Sequence, residues 1–478
     1  MSMKKFTKIV ATISDQRCDV EFIKELYKAG LNVVRLNTAH MDREGMSRIV
    51  NNTRTVSEKI AILIDTKGPE IRTTKSDEPI VLKTGDKLKI KGDPSCKSTK
   101  ECICVSYSEF VHDLSVNSTI LIDDGEIALK VKGKENECLN CEALNNGTLG
   151  SRKSVNVPGV RISLPSLTEK DVDCIRFVAE NDVDFVAHSF VRNKEDVIEV
   201  QKILDEKKSP AKIIAKIENQ EGVENIDEIL EHVYGVMIAR GDLGIEIPQE
   251  KIPGLQRQLI RKCVEAKKPV IVATQMLHSM IKNPRPTRAE VTDVANAIYY
   301  RTDAIMLSGE TAYGDYPVEA VKTMSNIAKE VELAKDSRND IPVPMVHHDT
   351  TTYLAETAVN AVKELDIKAV ITDSLTGRTT RFLAAFRGAV PVFSLCYSKR
   401  VGRELALSYG VFPKINEKGS SKSDILKKTL LKLKKKDFLN DGDLVVYLGG
   451  SFGIGGGTTF LEIISVEGLL KKIETYKD

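Results

Sequence analysis

Four pairs of polar residues, each two positions apart, lie where apolar runs of the sequence end. In a β-strand, residues i and i+2 point to the same side, so each pair is expected to project from one face of its strand. A buried charge is costly unless it is paired or bound to a metal, so four such pairs predict a functional site. The pairs are Arg35 with Asn37, Asp65 with Lys67, Lys216 with Glu218, and Arg240 with Asp242.

Two of the carboxylates predict a divalent metal site. Glu218 and Asp242 end consecutive apolar runs, which would place them on neighbouring strands about 4.8 Å apart. Carboxylates at that separation repel unless a cation lies between them, and oxygen ligands with open positions favour Mg²⁺ or Mn²⁺. Lys216, Lys67 and Arg72 add positive charge. This combination predicts phosphoryl transfer, in which catalysis depends on positioning and charge neutralisation.

The tripeptide Arg240-Gly241-Asp242 also occurs in extracellular adhesion ligands, on polar and flexible loops. Here apolar residues flank it on both sides, in VMIARGDLGIEI, which is typical of the end of a buried strand. We therefore interpret the tripeptide as an anion and metal site at a strand end. Gly241 has no side chain, so its backbone N–H can approach a ligand anion closely.

Eight short apolar runs alternate with amphipathic helical stretches. This alternation predicts an α/β protein built on a (β/α)8 TIM barrel, whose catalytic face lies at the carboxyl ends of the strands. The runs are residues 7–14, 32–38, 61–68, 183–190, 212–219, 235–242, 269–276 and 304–311.

The remaining sequence predicts two further domains. Between the third and fourth runs the sequence alternates as strands do, with glycine turns, which predicts a small β-barrel lid over the catalytic face. A second αβ pattern follows a proline-containing linker and predicts an open α/β domain. We expect the barrel at 1–68 and 161–337, the inserted β-barrel lid domain at 69–160, and the C-terminal domain at 345–478.

Composition excludes several classes of partner. The net charge is +2, so no overall basic surface favours nucleic acid or a membrane. No apolar run is long enough to span a bilayer, and the N-terminus lacks the pattern of a signal peptide. The nine cysteines are an odd number and thinly spread, as in a reducing compartment. We expect a cytoplasmic protein.

Five long motifs, in this order, resemble the pyruvate kinase family. The resemblance covers nearly the whole chain and implies a cytoplasmic homotetramer that transfers the phosphoryl group of phosphoenolpyruvate to ADP, giving pyruvate and ATP in the last step of glycolysis. The motifs are DTKGPEIRT (65–73), AKIEN (215–219), ARGDLGIEIP (239–248), ATQMLHSMIKNPRPTRAEVTDVANA (273–297) and MLSGETAYGDYPVEA (306–320).

The resemblance also implies roles at the reacting centre. Lys216 resembles the lysine that neutralises the phosphoryl group during transfer, where its positive charge is needed. Glu218 and Asp242 resemble the ligands of Mg²⁺. Thr274 resembles the threonine that assists protonation of the enolate. The backbone N–H groups of Gly241 and Asp242 are expected to bind the substrate carboxylate.

For the nucleotide, the resemblance implies that Arg35 and Arg72 contact phosphate oxygens, and it makes Arg35 a catalytic residue as well. Asn37, His40 and Lys153 are further nucleotide contacts, Lys153 from the lid. The first strand reads Thr-Ile-Ser-Asp at 12–15, where the family has Thr-Ile-Gly-Pro. This loop flanks the adenine pocket, so the nucleotide preference stays open.

The family also uses a monovalent cation, usually K⁺. Asn37, Asp65 and Thr66 match three of its ligands, but Ala39 replaces the serine that supplies the fourth oxygen. Glu70 is the residue type of the K⁺-requiring members. Because these two signs conflict, we expect a retained but weakened dependence on K⁺.

The C-terminal domain contains two loops that resemble an effector site for a phosphorylated ligand. SLTGRT follows a strand and opens a helix, where backbone N–H groups can hold phosphate, and SFGIGGGTT supplies a glycine-rich partner loop. The alternative is that the two loops are retained as part of the domain's structure and do not regulate the protein. The candidate residues are Ser374, Thr376, Gly377, Thr379, Gly455 and Gly456.

Two features of the sequence have competing interpretations. Cys102-x-Cys104 and Cys138-x-x-Cys141 suggest zinc, but the strand alternation and the spacing favour small residues packed in a β-barrel. His188 is either a packed histidine of the barrel or a catalytic group, and packing is favoured.

Two other functions compete with the kinase. One is another barrel enzyme of phosphoenolpyruvate or pyruvate, such as an aldolase or mutase, which would turn over without ADP. The other is an inactive paralogue, supported only by Ala39 and Ser14-Asp15.

Overall fold

Eight parallel strands close into a barrel in the computed structural model, which describes residues 5–334, 349–415, 421–450 and 457–475. Each strand pairs with its neighbours in chain order, and the last pairs with the first. All eight predicted runs contain a strand, but every strand ends before its run does. The strands are β1 (Lys8–Thr12), β2 (Val33–Asn37), β3 (Ala61–Asp65), β12 (Phe185–His188), β13 (Lys212–Ile217), β14 (Gly235–Ala239), β15 (Val270–Ala273) and β16 (Ala304–Leu307).

Amphipathic helices surround the barrel. In the first of them the Asp19 side chain accepts a hydrogen bond from the N–H of Phe22, and Gly30, at φ 124°, ends the helix. In the described part of the chain, no helix is long and apolar enough to cross a membrane. The helices up to residue 334 are α1 (Val20–Ala29), α2 (Arg43–Val56), the lid helix α3 (Phe110–Asp113), α4 (Glu169–Glu180), α5 (Lys194–Glu206), α6 (Gln220–Glu224), α7 (Ile226–His232), α8 (Arg240–Glu246), α9 (Ile252–Glu265), α10 (Arg288–Tyr299), α11 (Gly309–Ala312) and α12 (Pro317–Ala334).

The inserted segment forms a six-stranded sheet and a two-stranded ribbon around a core of its own. Arg72 forms an isolated bridge to Ser154, which directly precedes the edge strand β11, and Thr73 forms one to Val105, the last residue of the other edge strand, β6. The segment of Arg72 and Thr73 therefore links both edges of the sheet. The strands are β4 (Ile80–Leu82), β5 (Lys87–Gly92), β6 (Cys102–Val105), β7 (Thr119–Ile122), β8 (Ile127–Glu135), β9 (Cys138–Ala143), β10 (Gly147–Leu149) and β11 (Val155–Asn156), in the orders β11-β7-β8-β9-β5-β6 and β10-β4.

The C-terminal domain is an open α/β sheet of five strands in the order β19-β18-β17-β20-β21, the last of them antiparallel. The final helix, α17, was not predicted. The strands are β17 (Ile367–Ser374), β18 (Val392–Cys396), β19 (Val411–Ile415), β20 (Leu444–Gly449) and β21 (Phe460–Ser465), and the helices are α13 (Thr350–Glu364), α14 (Arg378–Phe386), α15 (Lys399–Glu404), α16 (Lys422–Lys434) and α17 (Val466–Thr475).

The C-terminal domain closes the amino end of the barrel. Leu407 is fully buried and packs within the apolar cluster of the barrel interior, together with Phe185 and Met237. Beside it, Arg403 Nε lies 2.6 Å from Asp184 Oδ1, directly before β12. The opposite, carboxyl end of the barrel is therefore left free for a site under the lid.

Replacing Leu407 with alanine is expected to destabilise the protein by about 2–5 kcal/mol, because it opens a cavity in the barrel interior. The measurement is the urea midpoint of the wild type and the variant. Leu431→Ala is the control, because Leu431 is 46% exposed on α16. Equal midpoints for the two variants would contradict this role of Leu407.

Candidate active site

A buried lysine lies at the carboxyl end of β13. Lys216 Nζ is 3.2 Å from Asp65 Oδ1 and 2.9 Å from Glu218 Oε1, and it donates to Ser189 Oγ at 2.7 Å. Burial opposes the charge, yet the two carboxylates hold the pKa of Lys216 above its ordinary value. The lysine is therefore positively charged at neutral pH.

Asp65 joins this lysine to a second cation. Arg35 Nε donates to Asp65 Oδ2 at 2.7 Å, and Arg35 Nη1 donates to Thr12 Oγ1 at 2.9 Å. Burial would raise the pKa of Asp65, but Arg35 and Lys216 together lower it. The structure thus brings together four of the side chains that the sequence placed at strand ends, which are Arg35, Asp65, Lys216 and Glu218.

Glu218 and Asp242 form a carboxylate pair in the wall of a cavity of about 870 Å³ between the barrel and the lid. Burial raises the pKa of Glu218, and the nearby Asp242 raises it further. Burial also raises the pKa of Asp242. A divalent cation would remove this repulsion, and oxygen donors are the ligands that Mg²⁺ prefers, so the residues present fit that ion.

The prediction that Arg240 and Asp242 share one side of a strand is wrong. Strand β14 ends at Ala239, and Arg240 begins helix α8. At 3.6 residues per turn, residues i and i+2 of a helix point in nearly opposite directions. Arg240 accordingly turns away from the carboxylate pair, and its Nη1 lies 2.7 Å from Asp293 Oδ1.

Thr274 follows β15 in an unusual backbone conformation. Its φ is 68°, and the φ of Gln275 is 54°; a β-branched residue rarely adopts such a value. The Thr274 hydroxyl accepts a hydrogen bond from the N–H of Gly241 at 2.8 Å and donates to the carbonyl of Ala273 at 2.6 Å. The sequence ATQM carries no signal for this turn.

Two predicted nucleotide contacts line the same cavity. Arg72 Nε lies 2.8 Å from Glu70 Oε2, and Lys153 Nζ lies 2.8 Å from Asp123 Oδ2. Each cation is therefore held by an acidic neighbour at the mouth between barrel and lid.

The predicted K⁺ ligands lie at adjacent strand ends. Asn37 and Asp65 are register partners of β2 and β3. Asn37 Oδ1 accepts from the N–H of Ala39 at 3.1 Å, within a 3₁₀ turn that extends to His40. Thr66 Oγ1 accepts from the N–H of Ser189.

Ser189 and Phe190 are site residues that the sequence reasoning missed. The Ser189 hydroxyl accepts from Lys216 and donates to the carbonyl of Thr66 at 2.7 Å. The N–H of Phe190, at φ 55°, donates to Glu218 Oε2 at 2.7 Å. The last two residues of the apolar run 183–190 gave no signal for either contact.

In the C-terminal domain, the two predicted effector loops are adjacent at one point. The hydroxyl groups of Thr379 and Thr458 lie 2.6 Å apart. Gly377, at φ 79°, precedes α14, Ser374 is buried and Thr376 is exposed. Gly455 and Gly456 lie outside the described residues.

Cys104 and Cys141 are buried in the lid, whereas Cys96, Cys102 and Cys138 are half-buried. Within the ranges that the structure describes, no group of three or more His, Cys, Asp or Glu side chains has the geometry to hold a metal on its own. The Glu218–Asp242 pair would need further ligands from substrate or water.

The closed parallel barrel, with charged side chains gathered at the carboxyl ends of its strands, defines a TIM-barrel enzyme. Family models for the pyruvate kinase barrel domain and the pyruvate kinase alpha/beta domain match residues 4–321 and 352–464. The chain therefore belongs to the pyruvate kinase family. It is therefore a phosphotransferase. The family name implies phosphoenolpyruvate and ADP as its substrates. Members of the family generally use Mg²⁺ and K⁺.

Individual relatives agree with this assignment. The chain is 48% identical to the pyruvate kinase of Borreliella burgdorferi, over 98% of this chain and 99% of that protein. It is 44% identical to the enzyme of Bacillus licheniformis, over 98% of this chain and 81% of that protein. A crystal structure of a pyruvate kinase from Cryptosporidium parvum superposes with a TM-score of 0.90 at 36% identity, covering 97% of this chain and 96% of that one.

His188 is a fully buried histidine. Phe185 and Ala187 of the same strand belong to the barrel-interior cluster, whereas Val186 belongs to the cluster between the barrel and its helices. His188 is two residues from Val186, so it lies on the helix-facing side of the strand. Its ring nitrogens have no hydrogen-bond partner among the described residues. Burial lowers the pKa of His188 to about 4. The side chain is a packed, neutral histidine at neutral pH.

This burial predicts a pH dependence of stability. An unfolded histidine has a pKa of about 6.5. Between pH 6.5 and 4, His188 is therefore protonated in the unfolded chain and neutral in the folded protein. The contribution of His188 to stability therefore falls as the pH drops through this window, by about 2 kcal/mol at pH 5. Above pH 6.5 the histidine contributes no pH dependence.

The measurement is urea unfolding of the wild type and His188→Leu at pH 7.5 and pH 5. The variant should lose less stability between the two values, because all other titrating groups are shared. Equal losses in the two proteins would contradict the burial argument.

Proposed function

We propose that the transfer of the phosphoryl group from phosphoenolpyruvate to ADP takes place around Lys216, at the carboxyl end of the barrel. The observation that carries this proposal is the buried ammonium of Lys216 between Asp65 and Glu218. A phosphoryl group in transfer carries negative charge on its oxygens, and a fixed cation in a water-poor site stabilises that charge strongly. Ser189 orients the lysine through its hydroxyl.

Glu218 and Asp242 would hold the divalent cation. When bound, Mg²⁺ acts as a Lewis acid toward the substrate oxygens and neutralises charge that develops on them. Glu218 is fixed for this task by the N–H of Phe190. Its other carboxylate oxygen, Oε1, contacts Lys216 Nζ. This contact fixes the position of the proposed metal ligand relative to the lysine that would bind the phosphoryl group.

Thr274 would assist the protonation of the enolate that remains after transfer. Its hydroxyl already lies in a hydrogen-bonded chain between Gly241 and Ala273. The N–H groups of Gly241 and Asp242 would bind the substrate carboxylate. For Gly241 this requires its N–H to exchange the Thr274 hydroxyl for the carboxylate.

ADP would bind between barrel and lid, where Arg72 and Lys153 line the cavity. Arg35, Asn37 and His40 are the further contacts that we assign to the nucleotide. Arg35 is committed to Asp65 and Thr12 in this structure, so its contact with phosphate requires a partner change.

A K⁺ ion would bind to Asn37, Asp65 and Thr66. Ala39 offers no side-chain oxygen, so we expect weakened dependence on the ion. Asp65 supports the proposal through its low pKa, because it stays ionised and can serve as an anionic ligand.

The assembly and regulation are also proposals. We infer a cytoplasmic homotetramer with a phosphorylated effector at Ser374, Thr376, Gly377 and Thr379, together with Gly455 and Gly456. The contact between Thr379 and Thr458 supports the effector site, since it brings the two loops of the C-terminal domain together.

Replacing Lys216 with methionine should reduce pyruvate formation by at least about 1000-fold, because it removes the fixed charge but keeps the volume of the side chain. Pyruvate is measured from phosphoenolpyruvate with ADP and Mg²⁺, in K⁺ buffer and in K⁺-free buffer. Lys282→Met is the control, because Lys282 is 75% exposed and pairs with Asp315 at the surface.

The outcomes separate the competing functions. ADP-dependent turnover that rises with K⁺ supports the kinase and a working ion site beside Ala39. Turnover indifferent to K⁺ keeps the kinase and contradicts the ion assignment. Turnover without ADP would favour the aldolase or mutase alternative, and folded wild-type protein without turnover would favour an inactive paralogue.

A further inference from the structure

Arg240 makes a set of contacts that the reaction steps above do not use. Its guanidinium is directed at the chain that leaves β15, and its side chain is 12% exposed. The contacts are Nε with the carbonyl of Ala273 at 3.3 Å, Nη2 with the carbonyl of Thr274 at 2.7 Å and with Met276 Sδ at 2.8 Å, and Nη1 with Asp293 Oδ1 at 2.7 Å and Gln256 Oε1 at 3.3 Å.

The segment that Arg240 holds is strained. Thr274 and Gln275 have positive φ values of 68° and 54°. Such conformations persist only where the surroundings fix them, and they are common at active sites. Relaxation of Thr274 to an extended conformation would rotate its hydroxyl away from Gly241. Hydrogen bonds to the carbonyls of Ala273 and Thr274 oppose this relaxation directly.

Side chains of two helices hold the Arg240 guanidinium in place. Asp293 lies on α10 and Gln256 on α9, so two helices anchor the same group. Five donors in one rigid plane can satisfy these partners at once, which a lysine ammonium cannot do. In the substrate-free protein the next residue, Gly241, holds the Thr274 hydroxyl. When the substrate carboxylate takes the Gly241 N–H, the contacts of Arg240 still fix the backbone of Thr274.

We propose that Arg240 is a positioning residue that places the Thr274 hydroxyl for proton transfer to the enolate. This inference rests on the role proposed above for Thr274. It separates Arg240 from phosphoryl transfer, since the described contacts of the guanidinium are with Ala273, Thr274, Met276, Asp293 and Gln256 and do not include Lys216, Glu218 or Asp242. Loss of Arg240 should therefore slow the protonation step and leave substrate binding nearly intact.

The test uses the full-length protein and two readouts. The first is kcat and KM for phosphoenolpyruvate in the ADP-dependent assay. The second is the exchange of pyruvate methyl protons with D₂O, followed by proton NMR in the presence of Mg²⁺ and ATP. In this exchange a methyl C–H bond breaks, the proton leaves through the relay, and deuterium returns to the same carbon.

For Arg240→Met we expect the exchange rate and kcat to fall by about 10- to 100-fold, because small misplacements of a catalytic group have effects of this size. KM should stay within about twofold of the wild type, since the groups that bind phosphoenolpyruvate are unchanged. Arg240→Lys should recover only part of the exchange. Asp293→Asn, which removes the negative charge of one anchor at a partly exposed position, should give an intermediate loss even if Arg240→Met fails to fold.

Three results would overturn the proposal. Wild-type exchange in folded Arg240→Met, unchanged exchange in Asp293→Asn, or a rise in KM without slower exchange would each assign Arg240 a role other than positioning Thr274. Thr274→Val is the reference variant. Unimpaired exchange in that variant would instead refute the role of Thr274, and a wild type without ADP-dependent turnover would refute the proposed function.

Discussion

The burial of the Lys216 ammonium is the constraint on which the site depends. A buried ion loses several kcal/mol of hydration, so it persists only with close partners of opposite charge. Asp65 and Glu218 supply those partners, and each is fixed in turn, Asp65 by Arg35 and Glu218 by the N–H of Phe190. Removing any one of these groups would leave another charge uncompensated.

The same cluster is incomplete in charge. Lys216 and Arg35 are two cations, whereas Asp65, Glu218 and Asp242 are three carboxylates. The excess negative charge lies on Glu218 and Asp242, which line the cavity, and burial raises the pKa of both carboxyl groups. A divalent cation between them would supply the missing positive charge and a Lewis acid for phosphoryl transfer.

The two ends of the barrel divide stability from chemistry. At the amino end, Leu407 fills the barrel interior and Arg403 pairs with Asp184. At the carboxyl end, Phe190 and Thr274 hold positive φ values, and such strain persists only in a rigid surround.

The sequence predicts the strands because buried parallel strands are continuous apolar runs, whatever their neighbours are. It also predicts that Lys216, Glu218 and Asp65 meet, since the barrel brings strand ends to one face. It fails at Arg240, because the continuous apolar run does not mark the change from strand to helix after Ala239, and the contacts of Arg240 with Asp293 and Thr274 join residues far apart in the sequence. Ser189 and the strained turn at Thr274 are likewise visible only in three dimensions.

The most direct test of this account is the binding of Mn²⁺ to the substrate-free protein, followed by electron paramagnetic resonance. We predict that the wild type binds the ion and that Glu218→Gln weakens binding by at least about 10-fold, because one anionic ligand is lost. Glu180→Gln, at a surface carboxylate that is 43% exposed, should bind as the wild type does. Unchanged Mn²⁺ binding in Glu218→Gln would contradict the claim that the charge cluster around Lys216 is completed by a metal.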